Sequence, residues 1–268
     1  MPSTYAHFRF GREVLRQLPP ELRDKIISRI QLYHIGLHGP DIFFYYQPLS
    51  HNPVRQLGEE LHTLSGREIF SRMEKTRNAF SEDNRAGLDA YLYGFICHYA
   101  LDSTAHGTVY QGIRETGVSH TAIEADFDRA LMERDGLEPH RQPLTGHIVP
   151  SLPNAAIISR FFPTVTAKQV EKSLQSMRFF HWLLLAPGTA KRKTLLFGLR
   201  ATGKYDALNG MIIRPEANPA CGAVTEALFQ RYREALPLAV ELIEKAFTPR
   251  WLSDERMERN FESETVSD

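Results

Sequence analysis

The chain has 268 residues, enough to bury a sizeable core, and its 42% hydrophobic and 24% charged content is that of an ordinary globular protein. Lysine plus arginine and aspartate plus glutamate are equal at 32 each, which excludes a global electrostatic footprint for nucleic acid or for an anionic membrane. Phosphate must then be attracted by local charge, and stable nucleic-acid binding is not expected.

The stretch from Met1 to His7 lacks a basic region followed by an apolar one, and no later run is apolar for long enough to span a bilayer, which predicts a cytoplasmic protein. Apolar residues recur at three and four over Leu22 to Leu32, Ile69 to Phe80, Leu88 to Leu101, Ile123 to Met132, Val170 to Leu185 and Val224 to Phe247. Breakers such as Pro19-Pro20, His38-Gly39-Pro40, Gly117, Pro187-Gly188 and Pro215 fall between them, and no segment alternates as a strand does. The pattern predicts an all-α helical bundle with short loops.

Residues 136–154 carry Pro and Gly with few periodic apolar positions and read as a loop or linker. They divide a histidine-rich, metal-binding half, 1–135, from helices in 155–268 that complete or extend the same domain. Cys97 and Cys221 form neither a CxxC pair nor a framework of bridges, so both are expected as buried thiols. The chain after Trp251 is highly charged, and its last residues are expected to fray.

The strongest local signal is the run from His98 through Asp102 to His106, three potential ligands four residues apart on a helical segment. They share one face, yet His98 and His106 stand roughly 12 Å apart at the backbone, too far to close on one ion. A central Asp102 can instead bridge two metals through its two oxygens. His120 and Glu124 repeat the spacing as a chelating pair. Imidazole nitrogen and carboxylate oxygen suit zinc, and iron or manganese accept the same donors. A lone histidine on a helix is usually a hydrogen-bonded core or surface residue; it is the register of several that points to metal.

Asp41 follows a Gly-Pro turn and precedes the aromatic run Phe43 to Tyr46. It reads either as a helix cap or as a carboxylate acting as base beside a metal-bound water. Phe43 and Tyr45 are candidates to line a substrate pocket, although aromatic runs more often belong to a core. His62 alone reads as a surface helix residue. His34 and His38 lie four apart before the turn, whereas His140, His147 and His181 have no partner at such a spacing. Phe179 to Pro187 is the candidate apolar docking surface for a lipid, although so short a run fits a buried helix better. Ala190-Lys191-Arg192-Lys193 reads as the start of a solvated helix.

Taken in order, His7 in His-Phe-Arg-Phe-Gly, Gly-Pro-Asp41, His62, the His98, Asp102, His106 set, and His120 with Glu124 resemble the zinc-dependent phospholipase C family, distant relatives of the P1-type nucleases. The resemblance implies a helical fold of that type with two or three zinc ions. One ion would take His62, His98 and Asp102, and a second His106, His120 and Glu124. A third would take Asp102, His7 and the amino and carbonyl groups of the first residue, which is Pro2 if Met1 is removed. Asp41 matches the family's acidic residue near the nucleophilic water. The expected activity is phosphodiester hydrolysis, with peripheral contact to phospholipid; a nuclease or phosphomonoesterase using the same metals, and a non-catalytic zinc module, are the alternatives. His106 follows Asp102 by four residues where secreted members use six, and Ile42 stands where an aromatic would help hold choline.

Overall fold

The computed structural model describes residues 3–203 and 205–264. Among them are twelve α-helices: α1 (Thr4–Gln17), α2 (Pro20–Ile27), α3 (Ile30–Gly36), α4 (Pro53–Thr63), α5 (Gly66–Asn78), α6 (Ala86–Thr116), α7 (His120–Arg134), α8 (Leu152–Ile158), α9 (Ala167–Leu184), α10 (Thr189–Ala201), α11 (Tyr205–Leu208) and α12 (Gly222–Lys245). No sheet forms among the described residues, and the fold is the all-α bundle that the periodicity predicts. No helix is long and apolar enough to cross a membrane.

The central member is α6, 31 residues long, with α3 on one side and α12 on another. From Gly94 to Ser103 every residue of α6 is buried. The helix runs on to Gly117, a left-handed cap at φ 68°, but beyond Ser103 its buried positions are His106, Val109 and Gly112, too few of them apolar side chains to keep the periodicity visible after Leu101. One hydrophobic cluster takes side chains from α1, α3, α6, α9 and α12 alike. Both halves of the chain therefore contribute to a single core.

Two glycines set how closely α3 and α6 approach. A Cβ on Gly36 would stand 2.3 Å from the carbonyl oxygen of Tyr91, and one on Gly94 would stand 2.2 Å from that of Tyr33. Only bare backbone fits this crossing. It brings the end of α3, and the turn that follows, directly onto the face of α6 that carries His98.

Local signals explain the remaining starts. Asn52 caps α4, its side-chain oxygen accepting from the amides of Val54 and Arg55, with Pro53 at the first helical position. Ser65 caps α5, and Thr166 with Gln169 forms a reciprocal capping box on α9. Ser3, before α1, makes no side-chain cap; Asp128 of α7 takes its place, as described below.

The charged tail is anchored over its described part, where Trp251, Met257 and Phe261 are buried in the core, and its last residues, 265–268, lie outside the described residues. Two expectations are corrected. The Phe179 to Pro187 run is not a buried helix: Phe179 is 52% and Trp182 64% exposed. Phe43 is fully buried, edge-on to Phe162, and offers no face to a substrate groove. Cys97 and Cys221 are buried free thiols, as expected.

Candidate metal centre

Five stretches of chain meet at the centre: α1 with His7, the turn at Gly39–Tyr45 with Asp41, α4 with His62, α6 with His98, Asp102 and His106, and α7 with His120 and Glu124. All but His120 are buried. Pro2, named as a ligand by the resemblance, lies outside the described residues.

Potential ligand atoms come within 4.8 Å of one another in three groups among the described residues: His62 with His98 and Asp102, His106 with His120 and Glu124, and His7 with Asp41 and His98. Asp102 stands between them. Its Oδ1 is 3.1 Å from His7 Nε2, and its Oδ2 is 3.1 Å from His98 Nε2 and 3.8 Å from His106 Nδ1. The four-residue spacing to His106 therefore leaves both side chains within reach of the same region. On the far side, Glu124 Oε1 lies 3.1 Å from His120 Nε2 and 3.5 Å from His106 Nε2.

Asp41 is closer to the ligand atoms than a purely catalytic carboxylate need be. One of its oxygens belongs to the group with His7 and His98, and Oδ1 is 3.1 Å from His62 Nε2. The backbone that carries it is tightly fitted. Gly39 has φ 45°, and a Cβ there would stand 2.3 Å from the His98 ring. Glycine is required both by the dihedral and by the imidazole.

Backbone carbonyls orient three of the imidazoles. Nδ1 donates to Gly58 O from His62 at 2.6 Å, to Leu37 O from His98 at 3.2 Å, and to Phe261 O from His106 at 2.6 Å. Each bond turns Nε2 toward the carboxylates and, in the neutral imidazole, makes it the lone-pair nitrogen, the arrangement that metal-binding histidines adopt. Phe44 stacks on His62 with ring centroids 5.3 Å apart, and Phe261 packs against both His62 and His98.

Convergence without mutual satisfaction shows that these residues fit a cation. His7 Nδ1, His98 Nε2, Asp102 Oδ2, His120 Nε2 and Glu124 Oε2 are buried with no hydrogen-bond partner. His98 Nε2 and Asp102 Oδ2 are near each other, yet not aligned to bond. Unpaired buried polar atoms are costly, and a divalent ion among them is what nitrogen and carboxylate donors satisfy. Three such groups accommodate up to three zinc ions.

The electrostatics agree. Burial lowers the basicity of His106, but Asp102 and Glu124 outweigh it and lift the imidazole to about 10. His7, His62 and His120 are raised in the same way, against burial, by Asp102, Asp41 and Glu124 respectively. The carboxyls of Asp41, Asp102 and Glu124 are held below their usual range by the imidazoles although burial opposes it. The cluster of carboxylates thus favours positive charge at its centre.

Several contributors carry no local signal in the sequence. Asp128 on α7 accepts from the amides of Tyr5 at 3.1 Å and Ala6 at 2.8 Å, satisfying the first turn of α1 and fixing where His7 points. His181 of α9 lies 3.2 Å from Thr4 Oγ1 and 2.9 Å from the Tyr45 hydroxyl. His38, four residues after His34, pairs with His147 at 2.7 Å. These contacts join residues more than a hundred positions apart, which spacing rules do not see.

No curated protein and no solved structure matches the chain. The model of the family described as zinc dependent phospholipase C matches residues 6–172, a span that takes in every group of the cluster and more than half of the chain. The chain belongs to the zinc-dependent phospholipase C family.

Proposed function

We propose that this member of a zinc-dependent hydrolase family hydrolyses phosphodiesters as a phospholipase C does, releasing the phosphorylated head group of a phospholipid. His62, His98 and Asp102 would hold one ion, and His106, His120 and Glu124 a second. His7, Asp102 and the first residue would hold a third. The observation that carries the reading is the buried, unpaired donor set converging around Asp102.

Zinc, when bound, supplies Lewis acidity toward phosphate oxygens and lowers the pKa of a coordinated water. The chain's residues do the rest. Asp102 and Glu124, kept ionised by their histidines, fix the positive charge where a non-bridging phosphate oxygen must bind. Asp41, held ionised at the edge of the ligand set by His98 and His62, would accept a hydrogen bond from the attacking water and align it on phosphorus. His106, His120 and Glu124 on α6 and α7 would offer an ion three protein donors, the number that catalytic zinc sites use.

A nuclease would need aromatic faces on which bases stack. Phe43 is fully buried, and Tyr45 is 4% exposed with its hydroxyl on His181. These two side chains, the candidates for stacking in the sequence, therefore lend the nuclease reading no support.

The test is product analysis by the zinc-loaded protein on phosphatidylcholine and phosphatidylglycerol vesicles, with a soluble nitrophenyl phosphodiester, a phosphomonoester and single-stranded DNA beside them. Diacylglycerol and a phosphorylated head group are the expected products. Cleavage of DNA or of the monoester alone would reject the proposal. Asp41→Asn should lower kcat by roughly a hundredfold or more while zinc is retained.

A further inference from the structure

We infer that the end of α9 and the whole of α10 form a docking surface for an anionic phospholipid bilayer. The surface lies beyond residue 172, outside the stretch matched by the family. The inference stands on the surface's own chemistry and does not require the proposed reaction.

The helix α9 buries Val170, Ser173, Leu174 and Met177, a regular inner stripe that stops at Met177. Its last two turns then turn aromatic side chains outward. Phe179 and Trp182 lie 6.0 Å apart by ring centroids and are 52% and 64% exposed. Next in the chain, α10 buries no residue at all, and Phe197 on it is 72% exposed. Six large hydrophobic side chains are exposed among the described residues, and these are three of them. Aromatic rings that are apolar in body and exposed are what interfacial segments insert at head-group depth.

Charge says what kind of surface covers them. From Lys172 to Tyr205 there is no Asp or Glu, while Lys172, Arg178, Lys191, Arg192, Lys193, Arg200 and Lys204 all fall there. Seven cations and no acid in one stretch leave the rest of this neutral chain with a net charge of minus seven, from 25 cations against 32 acids. Lys191 reaches over the Trp182 ring, its Nζ 5.3 Å from the centroid. Arg178, Lys191, Lys193 and Arg200 form no ion pair among the described residues. A cationic rim around exposed aromatics complements the negative surface of a bilayer containing anionic lipid.

A groove adjoins the same surface, and hydrogen bonds link its wall to the elements around the metal centre. The groove, of about 460 Å³, runs beneath Phe179 and Trp182, between them and the Leu144, Gly146 and Pro150 loop, with His181 in its wall. His181 in turn touches Thr4, one helical turn before His7, and Tyr45 beside the Asp41 turn.

The test uses the two tryptophans, since Trp251 is 3% exposed and Trp182 is the exposed one. In the Trp251→Phe chain, emission reports Trp182 alone. Vesicles of phosphatidylcholine with phosphatidylglycerol should shift that emission to the blue, brominated lipid should quench it, and added salt should reverse both. Lys191→Gln with Lys193→Gln should weaken partitioning by on the order of tenfold. Trp182→Ala with Phe197→Ala should abolish it, with unchanged hydrolysis of the soluble phosphodiester. Co-sedimentation of the unsubstituted protein with the same vesicles gives the answer independently if Trp251→Phe folds poorly. Absence of any shift and of co-sedimentation overturns the surface, even where the soluble diester is cleaved. A blue shift without vesicles that grows with protein concentration assigns the patch to self-association and overturns it too. Binding by a protein that cleaves no diester keeps the surface and removes the reaction.

Discussion

The Nδ1 of His106 donates to the backbone carbonyl of Phe261 at 2.6 Å, across 155 positions of sequence. The side chain of the same Phe261 is fully buried against His62, His98, Phe95 and Tyr99. The tail is therefore a wall of the metal centre rather than an appendage. Phe261→Ala should lose about 3–5 kcal/mol of stability through the cavity it leaves. Chemical denaturation of the zinc-loaded protein, followed by zinc release, measures both effects; an unaltered midpoint would show that the tail does not support the ligands.

Gly39 is predicted to tolerate no side chain. Gly39→Ala places a Cβ into the His98 ring at a positive φ, which by itself costs about 1–2 kcal/mol. The ring must turn away, so zinc affinity should fall more than tenfold in competition with a chromogenic chelator. Unchanged affinity would mean that the turn adapts without disturbing His98.

Asp128 holds the first turn of α1, and its loss should be felt at His7. Asp128→Ala leaves the amides of Tyr5 and Ala6 unpaired, a cost of about 2 kcal/mol. The expected result is a lower melting temperature together with weaker binding of the ion at His7. Equal stability and full metal content would assign the capping to another group.

Zinc binding should tighten as pH rises. The carboxylates lift His106 to about 10 and raise His7, His62 and His120 as well, so protons compete with a metal for the same nitrogens. Each proton displaced makes affinity rise by about tenfold per pH unit, up to the imidazole's own pKa. Proton release during zinc titration in weakly buffered solution checks the sign. Uptake of protons, or none exchanged, would contradict it.

How much of this was legible beforehand follows from the kind of contact involved. The bundle and the ligand series on α6 and α7 were readable because four-residue spacing is a local property of a helix. His62 was readable only by resemblance, since its partners Asp41 and His98 come from other elements. Helix α1 was missed, although Ala6, Phe10 and Val14 share its buried face, because a histidine and a glycine occupy that face too. Asp128, His181 and Phe261 are brought in by tertiary packing alone. The aromatic run misled in the opposite direction: Phe43 looked available and is core, whereas Phe179 and Trp182 looked like core and are exposed.

The most direct measurement is metal content by plasma mass spectrometry on untagged protein purified without a metal-affinity resin, for the natural chain, His120→Ala and Asp102→Asn. Three groups of ligands centred on Asp102 predict two or three zinc ions in the natural chain, the loss of one in His120→Ala, and the loss of more than one in Asp102→Asn. A folded natural chain that carries no metal and takes up none on titration would contradict the account at its centre.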